Sequence, residues 1–144
     1  AQLCRRFGRE ISWQGGRVWA FPEAVRLAGL ERGDLDCLRC GYRAPYLLSA
    51  ARAVAAGGFD LEAAADMAPQ EAVRYLTTLR GVGVKVANCV SLFGLHQMSG
   101  FPVDVWMKRA LREHFPPDFA PASLGVYAGL AQQYIFYYAR SGGN

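Results

Sequence analysis

Leu79-Arg80-Gly81-Val82-Gly83-Val84-Lys85-Val86-Ala87, continued by Asn88-Cys89-Val90-Ser91-Leu92-Phe93-Gly94-Leu95, is the stretch that decides the fold. A helix-forming run ends at Leu79, two glycines bracket Val82, and a second helix-forming run starts at once. Glycine tolerates backbone angles closed to other residues, so Gly81-Val82-Gly83 can turn the chain abruptly. The turn leaves N–H groups uncovered at the start of the next helix, where they and the helix dipole favour an anion such as a phosphate. Lys85 lies in the first turn of that helix, and Asp104 opens a later helix after Phe101-Pro102-Val103. The pattern reads as a hairpin that grips a phosphate backbone, with Lys85 and Asp104 as candidates for chemistry beside it.

The rest of the chain bounds this reading. Its 144 residues suffice for one domain with a real core, expected over 1–144 with the hairpin unit at about 69–95. Apolar residues make up 52% and charged residues 19%, a globular composition. No apolar run reaches the roughly 18 residues of a membrane span, so no membrane partner is expected. A net charge of +4 permits a nucleic-acid partner without requiring one. Cys37 and Cys40 form one half of a zinc or iron–sulfur pattern, but no second pair accompanies them. The expectation is no metal, with the two thiols partly buried on one helix face, in a reducing intracellular compartment. Ala1 begins inside a helix-forming run, so an amino-terminal portion of a larger protein is expected upstream. Ser141-Gly142-Gly143-Asn144 reads as a frayed end.

Along the chain, Ala1 to Phe7 reads as a helix stopped at Gly8. Ile11 to Ala20 reads as a hairpin around Gly15-Gly16, and Pro22 opens a helix to Leu27 or Ala28. Further helices are expected over Glu31 to Cys40, Arg43 to Ala56, Asp60 to Met67 and Pro69 to Leu79. After the turn, a helix from Val84 to Leu95 carries an apolar stripe of Val86, Val90 and Phe93. Asp104 caps a helix to His114, and Ala122 to Arg140 is a long final helix whose tyrosines are expected in the core. Short helices joined by short turns make an all-α fold.

Several side chains have two readings. Lys85 alone is an ordinary surface lysine. Its place in a first helical turn sets a cation against the dipole, an unfavourable placement that makes chemical sense if Lys85 is a nucleophile. Asp104 alone is an N-cap, and a carboxylate held rigid in that way can also stabilise a sugar oxocarbenium ion. Gln132 and Phe136 lie one helical turn apart: either an exposed amide and a core ring, or an amide and an aromatic face for a flipped base. Tyr42 and Arg43 are either a helix-end pair or a wedge with a base-contacting guanidinium.

These residues together resemble the helix-hairpin-helix superfamily of DNA glycosylases, and within it the 8-oxoguanine DNA glycosylases. The likeness runs over nearly the whole chain. It starts at Leu3-Cys4-Arg5-Arg6-Phe7-Gly8 and Gly41-Tyr42-Arg43-Ala44. It continues through the hairpin and Phe101-Pro102-Val103-Asp104-Val105 to Tyr127-Ala128-Gly129-Leu130-Ala131-Gln132 and Phe136. The resemblance implies a base-excision glycosylase and abasic-site lyase acting on oxidised guanine opposite cytosine in double-stranded DNA. It implies Lys85 as the Schiff-base nucleophile, Asp104 as its supporting carboxylate, and Gln132, Phe136 and Cys89 as the base pocket. Tyr42 and Arg43 become the wedge and the reader of the estranged cytosine. Arg80, Gly81, Val82 and Gly83 become the backbone-binding hairpin, whose carbonyls can hold a monovalent cation. No other cofactor, no iron–sulfur cluster and a monomer are expected. The family's amino-terminal β-rich domain is absent from this chain.

Three positions depart from the family's pattern: Arg80 stands for proline, Asn88 for aspartate and Trp106 for histidine. Two other readings stand beside the main one. An endonuclease III-like glycosylase for oxidised pyrimidines carries a four-cysteine cluster near its end, whereas no cysteine follows Cys89. A hairpin module that only binds DNA would need neither Lys85 nor Asp104.

Overall fold

The structure, a computed structural model, describes residues 1–142, so Gly143 and Asn144 of the expected frayed end lie outside the described residues. Its elements run α1 (Gln2–Phe7), β1 (Glu10–Trp13), β2 (Gly16–Trp19), α2 (Ala24–Ala28), α3 (Ala44–Ala55), α4 (Leu61–Asp66), α5 (Pro69–Leu76), α6 (Val84–Cys89), α7 (Val105–His114) and α8 (Ala128–Ser141). Short 3₁₀ turns cover Arg32–Leu38, Gly41–Arg43 and Pro121–Tyr127, and a π turn covers Val90–Gly94. The fold is helical apart from one two-stranded ribbon. No described helix is long and apolar enough to cross a membrane.

The chain divides into two compact units, one of Ala1–Leu61 with Leu79–Gly81, the other of Glu62–Thr78 with the residues from Val82 on. In the first, Leu35, Ala44 and Leu48 are buried against Leu3, Phe7, Leu30 and Leu47. Arg52 of α3 ties down the end of α2 by donating to the Ala28 and Leu30 carbonyls at 3.1 and 2.9 Å. The ribbon pairs Ile11 with Val18 and Trp13 with Gly16. Its turn is Gln14-Gly15, with φ of 48° and 77°, rather than Gly15-Gly16. A two-residue turn with both φ positive matches the twist of the strands, and Gly16 is left to start β2.

Several helices end earlier than their composition suggests. α5 stops at Leu76, not Leu79, because the Thr77 and Thr78 hydroxyls each donate at 2.7 Å to the carbonyls of Arg74 and Tyr75. The Glu31–Cys40 segment forms only a 3₁₀ turn over Arg32–Leu38, closed by Arg39 at φ 52°. Cys37 is therefore exposed, against the expectation of a partly buried pair, while Cys40 is half-buried. The final helix begins at Ala128, because Gly125 takes φ 70°, ψ −154° and breaks the run.

The second unit overturns two expectations about its core. After α6 the backbone loosens into the π turn, with Leu95 N–H donating to the Val90 carbonyl at 3.0 Å. The buried side chains are Ala87, Ser91 and Leu92, whereas Val86 and Phe93 are exposed. The tyrosines of α8 are outside too, with Tyr134 and Tyr137 72% and 73% exposed. α8 instead packs through Ala128, Gly129 and Gln132. A Cβ on Gly129 would lie 2.4 Å from Leu92 Cδ1 and 2.5 Å from the Gly100 carbonyl. Close backbone approach requires small side chains at the contact and leaves bulky ones for the far face.

Candidate active site

The turn that opened the sequence reading divides its work between its two glycines. Gly81 takes φ +87°, and a Cβ there would lie 2.3 Å from Tyr46 Cγ, so no other residue fits. Gly83 is the N-cap of α6 at φ −89°, an ordinary extended conformation, and a Cβ there would meet nothing within 4 Å. Gly83 therefore contributes openness rather than backbone freedom. Arg80 is exposed, and Asn88 turns inward on its own helix, donating to the Val84 carbonyl at 2.8 Å.

Asp104 caps α7 as its sequence suggests: Oδ1 accepts from the Met107 N–H at 2.9 Å. A cap of this kind is worth about 1 kcal/mol and fixes the side-chain torsion. The second carboxylate oxygen has no partner among the described residues. Lys85 is exposed and forms no ion pair among the described residues.

Five of the expected site residues line one cavity of about 130 Å³: Lys85 and Cys89 from α6, Asp104 from the start of α7, and Gln132 and Phe136 from α8. Phe93, Pro102 and Gln133 complete its lining, and sequence reasoning missed all three. Phe93 had been assigned to the core by its hydrophobicity. The spacing from Cys89 to Phe93 (i, i+4) was the signal that could have placed it beside the thiol.

Gln132 is only 4% exposed, against the alternative reading of it as an exposed amide. Its Nε2 donates to the Pro102 carbonyl at 3.0 Å, tying α8 to the irregular segment that leads into Asp104. Its Oε1 accepts from Gln133 Nε2. Buried amides without partners are destabilising by about 1–3 kcal/mol, so both ends of this one being satisfied fixes its orientation.

A larger cleft of about 480 Å³ lies between α7 and α8, lined by Trp106, Glu113, His114, Tyr138 and Arg140 among others. Its carboxylate is already engaged, since the Arg109 guanidinium donates to Glu113 at 2.8 Å and holds the Glu113 carboxyl below the usual carboxylate range. The Arg140 guanidinium lies 5.9 Å from the centroids of both the Trp106 and Phe136 rings. Lys85 and the capping aspartate face the smaller cavity, which is the better site on chemical grounds. Among the described residues no cluster of three or more His, Cys, Asp or Glu side chains is arranged to hold a metal ion.

In the other unit, Tyr42 is 68% exposed and the Arg43 guanidinium lies 4.8 Å from its ring centroid. The 3₁₀ turn Gly41–Arg43 presents both side chains to solvent, and Gly41 takes φ 54° to begin it.

No protein-family model matches the chain. A probable N-glycosylase/DNA lyase of Methanothermobacter thermautotrophicus is 30% identical over an alignment that covers 96% of this chain and 53% of that protein. The N-glycosylase/DNA lyase OGG1 of Arabidopsis thaliana is 35% identical over an alignment that covers 81% of this chain and 37% of its own length. The crystal structure of Clostridium acetobutylicum 8-oxoguanine glycosylase/lyase with double-stranded DNA containing cytosine opposite 8-oxoG matches at a TM-score of 0.84 and 30% identity. It covers 99% of this chain and 52% of that one. The chain thus spans about half of these relatives' length or less. With this sequence likeness and this architecture together, the chain has the fold of the helix-hairpin-helix DNA glycosylases, and its homologues are named N-glycosylase/DNA lyases.

Proposed function

We propose that this chain is the helical part of a base-excision enzyme that removes oxidised guanine opposite cytosine and then cleaves the strand at the abasic site. The observation that carries the reading is the convergence of Lys85, Asp104, Gln132 and Phe136 on one cavity. At about 130 Å³ the cavity is smaller than the roughly 300 Å³ at which ligand pockets begin. A purine held there would need a further wall.

In this mechanism a flipped guanine-type nucleotide places its base between the Phe93 and Phe136 side and Cys89, with Gln132 hydrogen-bonded to its edge. The Lys85 amine attacks C1′, the bond from C1′ to the base nitrogen breaks, and the base leaves with the electron pair and takes up a proton. The Asp104 carboxylate, rigid and half-buried, stabilises the positive charge that develops on the sugar. Ring opening gives an imine between Lys85 and C1′. Loss of a C2′ proton then expels the 3′ phosphate, and water releases the sugar fragment from Lys85.

The remaining roles extend the same reading. Tyr42 enters the base step and Arg43 contacts the abandoned cytosine. Arg80 and the N–H groups around Gly81, Val82 and Gly83 hold a phosphate of the backbone. The turn offers carbonyl oxygens and no carboxylate, a donor set suited to a weakly held monovalent cation beside that phosphate. The enzyme works as a monomer inside the cell.

Borohydride added to the protein with a duplex bearing 8-oxoguanine opposite cytosine is expected to trap a covalent adduct at Lys85. Faster cleavage of thymine glycol would favour the oxidised-pyrimidine reading. Binding without lesion preference or adduct would leave only a DNA-binding module.

A further inference from the structure

Gln132 and Gln133 are neighbours in α8, and consecutive helical residues do not normally face each other. Here both line the same cavity, and Gln133 Nε2 donates to Gln132 Oε1. The Pro102 carbonyl can only accept, so the end of the Gln132 amide that meets it at 3.0 Å is the NH₂ group. The oxygen must then lie at the other end, where Gln133 holds it. A carboxamide oxygen has two lone pairs, and Gln133 occupies one of them. With Gln132 only 4% exposed, little water is available to take over if Gln133 is removed.

We propose that Gln133 is a positioning residue for base recognition: it pins the Gln132 oxygen so that the remaining lone pair meets an N–H on the Watson–Crick edge of a guanine-type base. This inference rests on the proposed glycosylase function and adds a source of specificity to it. A guanine-type base presents N1–H to that oxygen. An adenine-type base presents a bare N1, and two lone pairs then oppose each other. Held at both ends, the carboxamide cannot rotate to offer its NH₂ group instead. Freed of Gln133, it retains a single tether to Pro102, and discrimination weakens.

The abasic-site reaction separates this role from a structural one, since no base is present to be read. Single-turnover excision of 8-oxoguanine and of 8-oxoadenine, and cleavage at a preformed abasic site, are to be compared for wild type, Gln133→Leu and Gln133→Glu. The glutamate variant keeps the shape, but its carboxylate cannot donate. Both variants are expected to lose about tenfold in excision of 8-oxoguanine, as for one hydrogen bond, and to narrow the ratio between the two bases. Cleavage and borohydride trapping at the preformed abasic site should be unchanged. Wild-type excision by Gln133→Glu would overturn the proposal by showing that only packing matters. Abasic cleavage falling in step with excision would overturn it by showing a general loss of the site. Inactivity of the full-length wild-type gene product on all three substrates would instead overturn the glycosylase reading on which the proposal stands.

Discussion

The Gln132 side chain donates to the carbonyl of Pro102 at 3.0 Å, and Pro102 precedes the capping residue Asp104 by two positions. One buried amide therefore both faces the cavity and anchors the segment that leads into Asp104. Gln132→Leu is expected to leave the buried Pro102 carbonyl unpaired and to lower stability by about 1–3 kcal/mol in urea denaturation. If stability is unchanged, the tether is dispensable.

The cap that Asp104 provides and the charge stabilisation proposed for it are separated by different substitutions. Asparagine caps a helix about as well as aspartate, so Asp104→Asn should unfold within a few tenths of a kcal/mol of wild type. It lacks the charge, and base excision is expected to fall on the order of a hundredfold. Asp104→Ala should lose both, with about 1 kcal/mol of stability gone as well. Equal excision rates for Asp104→Asn and wild type would reduce the residue to a cap.

Lys85 is exposed and makes no ion pair among the described residues, so its replacement should leave the fold intact. Lys85→Gln is expected to abolish borohydride trapping and strand cleavage while its affinity for duplex DNA, read at two salt concentrations, changes little. Trapping that survives would assign the nucleophile elsewhere.

The two glycines of the turn should respond oppositely to alanine. Gly81→Ala forces a Cβ against Tyr46 at positive φ, and a loss of more than about 1 kcal/mol is expected in thermal unfolding. Gly83→Ala meets nothing within 4 Å at an ordinary φ, so stability should hold. Its effect should show in DNA affinity, because the methyl group covers open backbone.

Glu113 carries the pH dependence that can be assigned. Its carboxyl is held low chiefly by the hydrogen bond from Arg109. A carboxyl lowered on folding contributes stability above its unfolded-state range, and that contribution is lost as pH falls through the lowered folded value. Glu113→Gln should therefore melt slightly below wild type at neutral pH and level with it in strong acid. Both side chains are exposed, so added salt should shrink the gap. A gap that widens in acid would reverse the sign.

Helix existence was legible wherever local chemistry settles it. Gly8, Gly29 and Asp104 end or cap helices within a residue or so of their expected places, because capping is decided by atoms adjacent in the chain. Helix lengths were less legible: the threonine hydroxyls at 77 and 78 compete for backbone carbonyls that α5 would have used, and the π turn after Cys89 breaks a run that reads as continuous helix.

The sequence by itself determined the turn, the capped aspartate and the spacing of Gln132 from Phe136, since each rests on neighbours a few residues apart. Tertiary structure alone decided what faces what. It put Ala87, Ser91 and Gly129 inside and the tyrosines of α8 outside, because closely packed backbones admit only small side chains. It also brought Pro102 onto Gln132 and Gln133 onto the same amide. Hydrophobicity measures a residue's transfer from water and carries no information about which neighbour fills the space around it.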